Sequence, residues 1–408
     1  MLHSLLATNI AICYLTRAMR DSLNIVDHPQ GSITERKIGV ESVDLRLIRL
    51  PLKEPFETSF GRIESRLIFL VSIESDGLTG WGEVVAAEAP LYSYETAGTA
   101  SHVIRDYLAQ PLMAQPIAGL SDLAARFARF KGHNMAKAGL ELAYLDVLAQ
   151  TRNRSISRVI EGTQARVPVG VSLGIQPTLQ ALFQRVDHYV SLGYQRIKLK
   201  INHGWDLDVV AEVRRRHPDI LLSVDANSAY ALKDLDRLKA LDDFNLLMIE
   251  QPLDHDDLLD HAKLQAELRT PICLDESITS FRRAEQALSL ESCRIINIKI
   301  GRVGGYSQAL PIHDLCYGRG VPVWCGGMLE SGIGRAHNLA LASLPGFTLP
   351  GDISASSRFF DRDVIIPEVR VAGNGTAEVP RGAGLGFEVD LDYIESRTES
   401  VERIEPES

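Results

Sequence analysis

Two rhythms of apolar and polar positions divide this chain. Between residues 38 and 52 the run VESVDLRLIRLPL, from Val40 on, alternates apolar with polar side chains, the period of a half-buried strand. A second alternating run, RLIFLVSIES at 66–75, meets Asp76-Gly77 and is followed by TGWGEV, which predicts a hairpin with a tight turn. Beyond Pro90 the spacing becomes helical, with helices predicted over 94–108, 121–131 and 134–150. In the last of these, Ala138, Leu142, Leu145 and Leu148 recur on one helical face. Strands first and helices afterwards predict an α+β domain over 38–165, an ordinary domain size.

From Val167 onward, strands and helices alternate. Strands are predicted at 167–174, 196–201, 220–226, 246–251, 271–276, 294–300 and 321–326. An eighth candidate, FTLPGD at 347–352, is weakened by Pro350, which cannot donate to a ladder. The segments between carry helix formers, as in TLQALFQRVDHYVSLG, which closes on Gly193 as a helix end does. The expected fold is α/β: a modified TIM barrel of (β/α)7β type over 166–355, with an N-terminal α+β capping domain. Gly-rich alternation ending in GLGFEVD predicts that 356–390 returns to the capping domain, and the polar residues 391–408 predict a frayed tail. Residues 1–37 are expected to be a disordered or weakly packed extension, or an over-long start to the reading frame. Their apolar run LLATNIAICYL is too short to span a bilayer and lacks a basic leader.

Charge enters this pattern at a fixed interval. Lys200, Asp225, Glu250, Asp275 and Lys299 follow one another at steps of 25, 25, 25 and 24 residues, each closing an apolar run such as RIKLK, LLSVD or LLMIE. One such charge is commonly a cap or a solvated loop residue. Five in phase place their groups at equivalent ends of successive strands, and strand C-termini of a βα barrel face a single mouth where active sites are built. An open doubly wound sheet would bind at one switch point instead of gathering residues from five neighbouring strands.

Three carboxylates without histidine or thiolate make a hard oxygen donor set, suited to Mg²⁺ or Mn²⁺ rather than Zn²⁺. Without a cation such acids raise one another's pKa. Asn227 and Glu276 are positioned to support the ligands. Lys200 and Lys299, on the second and sixth strands, would face each other across the barrel and hold a substrate between them. Lys198 shares the inward face with Lys200, since residues two apart on a strand point the same way, and the two ammonium groups are expected to depress each other. Arg302, three residues past Lys299, is expected to do the same for that lysine. A lysine so placed is suited to act as a general base.

Composition narrows the partners. The chain has 408 residues, 45% of them hydrophobic, and carries 43 basic against 53 acidic residues for a net charge of -10, which disfavours a nucleic-acid partner. No membrane partner is expected. Five cysteines without a CxxC pair read as thiols in a reducing compartment, the cytoplasm.

The set Lys198-Leu199-Lys200, Asp225-Ala226-Asn227, Glu250-Gln251-Pro252, Asp275-Glu276-Ser277 and Asn297-Ile298-Lys299 resembles the enolase superfamily, muconate-lactonising subgroup, over about residues 38–390. The resemblance implies metal ligation by Asp225, Glu250 and Asp275, an acid/base pair of Lys200 and Lys299 that removes the proton α to a carboxylate, and an enediolate stabilised by the metal. It implies that FETSFG at 56–61 closes on a small carboxylate substrate, making Phe56, Ser59 and Phe60 candidate contacts. WCGGMLESGIGRAHN (324–338) and LPGDISASSRFF (349–360) are similar to the o-succinylbenzoate synthase branch, which also holds N-succinylamino acid racemases. The synthase reaction is a syn dehydration in menaquinone biosynthesis; the racemase inverts the α-carbon of N-acylated amino acids. Depression of Lys299 by Arg302 would favour racemisation, in which each lysine acts as base in turn, so an Arg302→Gln change is expected to cut racemisation more than dehydration. Ser172, Gly326, Gly327, Met328 and Ser354 are further candidate substrate contacts, with turn geometry as the competing reading for the glycines and packing for Met328.

Rival readings are muconate cycloisomerase and dipeptide epimerase, which keep both lysines and the metal. A sugar-acid dehydratase would need a His-Asp dyad, which His313 and His337, in helical stretches, do not supply. A non-catalytic barrel serving as a binding protein conflicts with the intact set of five. The resemblance also implies a symmetric homo-oligomer, dimer or octamer.

Overall fold

The structure is a computed structural model that describes residues 37–58 and 61–407. The expectations for the extension up to residue 36, for Ser59 and Phe60, and for the Phe56 side chain lie outside the described residues.

The capping unit is built on the hairpin that the alternation predicts. Strands β1 (Ser42–Thr58), β2 (Gly61–Ser75) and β3 (Leu78–Val84) pair antiparallel in sequence order. The β2–β3 turn carries Asp76 at φ 50° and Gly77 at φ 76°, the left-handed pair that a tight hairpin turn requires. Helices follow at Ala97–Val103, Leu120–Phe127 and Asn134–Thr151. The last presses so closely on β3 that a Cβ at Gly82 would stand 2.1 Å from the Gly139 carbonyl oxygen, so only glycine fits there. It is buried on every side rather than along one stripe, because the sheet covers one flank and the barrel the other. Glu141, on the barrel flank, accepts a hydrogen bond from the Ser307 backbone at 2.7 Å.

The barrel begins after a short strand, β4 (Arg166–Pro168), that the alternation alone merges with its successor. Seven parallel strands follow in unbroken order: β5 (Gly170–Leu173), β6 (Arg196–Lys200), β7 (Leu221–Asp225), β8 (Ile249–Glu250), β9 (Ile272–Leu274), β10 (Ile295–Ile298) and β11 (Val323–Cys325). The eighth position is filled by 347–351. Phe347 bridges Val323 on β11, and Gly351 bridges Val169 beside β5, with Gly170 N donating to Gly351 O at 2.7 Å. Pro350 is tolerated because Leu349 and Gly351 on either side of it make the ladder bonds. Helices between strands start on side-chain caps, Thr178 accepting from Ala181 N and Ser280 from Arg283 N.

The C-terminal part differs from expectation. Strand β13 (Thr376–Glu378) pairs with β4 at the foot of the barrel, and β12 (Ile365–Ile366) pairs with β14 (Glu388–Val389). Leu385 N donates to Asp146 on the long capping helix at 2.8 Å. Residues past 390, expected to fray, instead form a helix, Leu391–Arg397, and then β15 (Thr398–Ile404), which pairs antiparallel with the free edge of β1. Edge pairing needs only backbone donors and acceptors, so a strand with polar side chains serves as well as an apolar one. Among the described residues no helix is long and apolar enough to cross a membrane.

Candidate active site

The five phased charges arrive where their spacing puts them. Lys200, Asp225 and Glu250 are the last residues of β6, β7 and β8, while Asp275 and Lys299 stand one residue past β9 and β10. Register aligns the first three directly: Lys200 is opposite Asp225, and Asp225 is opposite Glu250. The strands carrying the two lysines are four apart in the sheet, and both lysines line one cavity together with Lys198, Asp225, Ser172 and Gly327.

The acids are almost wholly withdrawn from solvent, and each is engaged by a cation. Lys200 donates to Asp225 Oδ2 at 2.7 Å and to Asn227 Oδ1, whose amide donates in turn to Glu276 Oε1 at 2.8 Å. Lys198 donates to Glu250 Oε2 at 2.7 Å and lies 3.2 Å from Asp225 Oδ2. Asn297 donates to the other Glu250 oxygen at 2.9 Å. Lys299 donates to Asp275 Oδ2 at 2.8 Å, and Arg302 takes the other Asp275 oxygen. Among the described residues, accordingly, no three His, Cys, Asp or Glu side chains form a ready cluster around one point.

The donor set nevertheless fits a hard divalent cation. Burial pushes the Glu250 and Glu276 carboxyls above their ordinary range, and the Asp225 carboxylate pushes both further. Glu276 Oε2 is buried without a partner. A buried carboxylate oxygen is thus left over for a ligand on this side of the site, and neither imidazole nor thiolate enters the set. For Asp225, burial works against ionisation, but Lys200 and Lys198 overcome it and hold the carboxyl below its ordinary range.

Two electrostatic expectations are overturned. Burial favours the neutral form of Lys198, yet the carboxylates of Asp352, Glu250 and Asp225 outweigh it and hold this lysine above its ordinary value. Lys198 is a counter-ion locked among acids. Lys299 is likewise held above its ordinary value, since Tyr92, Glu276 and Glu250 outweigh burial. Arg302 does not depress it, because the guanidinium is spent on Asp275 and on the carbonyls of Ile278 at 2.7 Å and Asn297 at 2.5 Å.

The candidate substrate contacts separate. Ser172 lines the cavity, and its Oγ is buried without a partner. Gly327 also lines it. Gly326 makes room for a neighbour instead, a Cβ there falling 2.3 Å from Asn297 Oδ1. Ser354 accepts from Arg358 at 2.9 Å, and half-buried Met328 packs on the core while its N–H donates to Glu330 at 2.8 Å.

Several participants escaped the sequence reading. Asp352 follows the eighth strand at the position its counterparts occupy on the others, and it pairs with Lys198 at 2.8 Å and with buried Arg196. The phase was legible there, but Pro350 masked it. Asn297, named in the motif Asn297-Ile298-Lys299 but given no role there, shares the inward face of Lys299. Tyr92, from the capping unit, donates to Asp275 at 3.2 Å and accepts from Lys299 at 3.1 Å. It sits in a loop without periodicity, and no local signal marks it.

A barrel whose opposite walls each present an amine to one acid-lined cavity, lidded by a separate sheet and helix unit, defines an acid–base enzyme of the capped-barrel class. Residues 42–161 match the family described as mandelate racemase / muconate lactonizing enzyme, N-terminal domain, and residues 181–393 match the one described as enolase C-terminal domain-like. The chain belongs to the enolase superfamily and is an enzyme. It is 53% identical over 363 residues to an o-succinylbenzoate synthase of Geobacillus stearothermophilus, covering 89% of this chain and 96% of that one. It is 45% identical over 359 residues to an N-succinylamino acid racemase of Thermus thermophilus, covering 88% and 97%. Among solved structures, an enolase-superfamily member from Listeria innocua superposes with a TM-score of 0.87 at 42% identity, over 90% of this chain and 99% of that one.

Proposed function

We propose that this enzyme abstracts the proton α to a carboxylate and carries the resulting enediolate forward in two ways, as an o-succinylbenzoate synthase and as an N-succinylamino acid racemase. The observation that carries the reading is the pair Lys200 and Lys299 lining one cavity from strands on opposite sides of the barrel. An α-carbon between them has an amine on each face.

In the dehydration, proton and hydroxyl leave from the same face of the ring. One lysine therefore suffices: it takes the α-proton and returns a proton to the departing hydroxide, which leaves as water. The other lysine remains an ammonium beside the enediolate. In racemisation the first lysine removes the proton from one face, and the second delivers one to the other face. Asp225, Glu250 and Asp275 would hold Mg²⁺ or Mn²⁺, with Asn227 and Glu276 supporting them. When bound, such an ion supplies the positive charge against which the second charge of the enediolate develops, and it favours a free amine on a neighbouring lysine. Tyr92 and Arg302 orient Asp275 and Lys299, and burial of the whole group excludes water.

The test is incubation of the enzyme with Mg²⁺ in D₂O and N-succinyl-L-amino acids, following α-proton exchange and optical rotation, alongside dehydration of the succinylated cyclohexadiene precursor. Exchange with loss of rotation and formation of the aromatic product are expected. Absence of both would sink the reading.

A further inference from the structure

We infer that Arg358 reads a second anionic group on the substrate, the carboxylate at the far end of its acyl arm. The inference rests on the α-proton chemistry proposed above and names what lies beyond the reacting carbon.

Two cavities meet at Arg358 and Phe359: the inner one that holds both lysines, and a wider one that opens past Gln176, Arg185 and His188. Arg358 is fixed at the junction. Nη1 donates to Ser354 Oγ at 2.9 Å, Nη2 donates to the Ser172 carbonyl, and the guanidinium lies over the Phe359 ring at 4.5 Å. All three partners are neutral. Arg185 in the same outer wall is paired with Glu54 at 2.5 Å, and Arg196 on the inner side is paired with Asp352. Among the described residues Arg358 has no such carboxylate. A half-buried guanidinium held by neutral groups keeps its charge for an incoming anion, and the planar fork suits a carboxylate.

A second observation points the same way. The Ser172 hydroxyl, next to the carbonyl that Arg358 grips, is buried, lines the inner cavity and has no partner. A hydroxyl donor beside a guanidinium makes a two-sided cradle for a carboxylate, and buried polar atoms left unpaired are uncommon unless a ligand satisfies them. The cradle thus fits the succinyl arm of the substrates proposed above, whose second carboxylate ends a short acyl chain. Amides of uncharged acids of equal length would leave both Arg358 and Ser172 unsatisfied.

The experiment compares N-succinyl-phenylalanine with N-butanoyl-phenylalanine, which has the same number of acyl carbons and no terminal charge, by α-proton exchange in D₂O with Mg²⁺. Wild-type enzyme is expected to prefer the succinyl compound. In Arg358→Gln, kcat/KM on the succinyl compound should fall about tenfold or more, mainly through KM, as befits loss of a charged hydrogen bond. The butanoyl compound should lose clearly less than the succinyl compound, and Arg358→Lys should recover part of the loss. Equal losses on both compounds would make Arg358 a prop for Ser172 and Ser354 and overturn the inference. So would wild-type enzyme that exchanges both compounds without preference, a result that needs no variant and leaves the α-proton chemistry standing. Exchange with neither compound would overturn both readings.

Discussion

Lys198 Nζ lies 2.7 Å from Glu250 Oε2, with both side chains shut off from solvent. The ammonium also meets Asp352 at 2.8 Å and Asp225 at 3.2 Å, and it sits 4.8 Å over the Trp324 ring. Lys198 thus neutralises the acids that converge on the cavity wall, and it lines the cavity together with Lys200, two residues on.

Replacing Lys198 with Met removes that neutralisation and leaves buried carboxylates unpaired. A stability loss on the order of 3 kcal/mol is expected from urea unfolding. Mg²⁺ should restore more stability to the variant than it adds to wild type, because it supplies the missing positive charge to the same acids. An unchanged unfolding midpoint would show that Lys198 is not their counter-ion.

Lys200→Ala and Lys299→Ala should each abolish racemisation, since inversion needs an amine on both faces of the α-carbon. Each variant should still exchange the α-proton of one enantiomer, the one whose proton faces the remaining lysine, and the two variants should select opposite enantiomers. The lost direction should fall by about 10²- to 10⁴-fold. Selection of the same enantiomer by both variants would place the two lysines on one face.

Asp275 is shared by Lys299 and Arg302. With Arg302→Gln, Lys299 becomes the sole cation on that carboxylate and is held there harder. Racemisation asks Lys299 to leave Asp275 and reach the α-carbon, whereas dehydration asks of it only a charge. Racemisation should therefore fall more than dehydration, as the sequence suggests, although the cause is competition for Asp275 rather than depression of the lysine. Parallel losses in the two assays would refute this.

Burial pushes the Glu141 carboxyl up to about 7 from an ordinary 4.5. A carboxyl whose pKa rises on folding stays protonated in the native state where the unfolded chain has released its proton. Stability is therefore lost as pH climbs from 4.5 through 7 and is not regained above it. Glu141→Gln keeps an acceptor for Ser307 N but cannot ionise. Relative to wild type it should gain up to about 3 kcal/mol on going from pH 4.5 to pH 8, read from thermal unfolding at both values. Glu83 and Asp146, raised to about 7 and about 6, leave a residual slope in the same direction. A difference between variant and wild type that does not change with pH would show that Glu141 ionises normally.

Local pattern carried much of this enzyme. Alternation located the capping hairpin, and the strand–helix rhythm located seven barrel strands. The five phased charges could be assigned to one mouth because a βα barrel repeats its geometry with each unit, so sequence spacing becomes spatial equivalence. What local pattern could not carry depends on closure between distant parts of the chain. β15 is polar and looks like a tail until the edge of β1 offers it a ladder. Tyr92 belongs to a loop of the capping unit and acquires a role only when that unit sits on the barrel. The charge states expected of Lys198 and Lys299 from their sequence neighbours failed for the same reason. A buried lysine answers to the acids packed around it, and Asp352 reaches Lys198 from 154 residues further along the chain only once the barrel has closed.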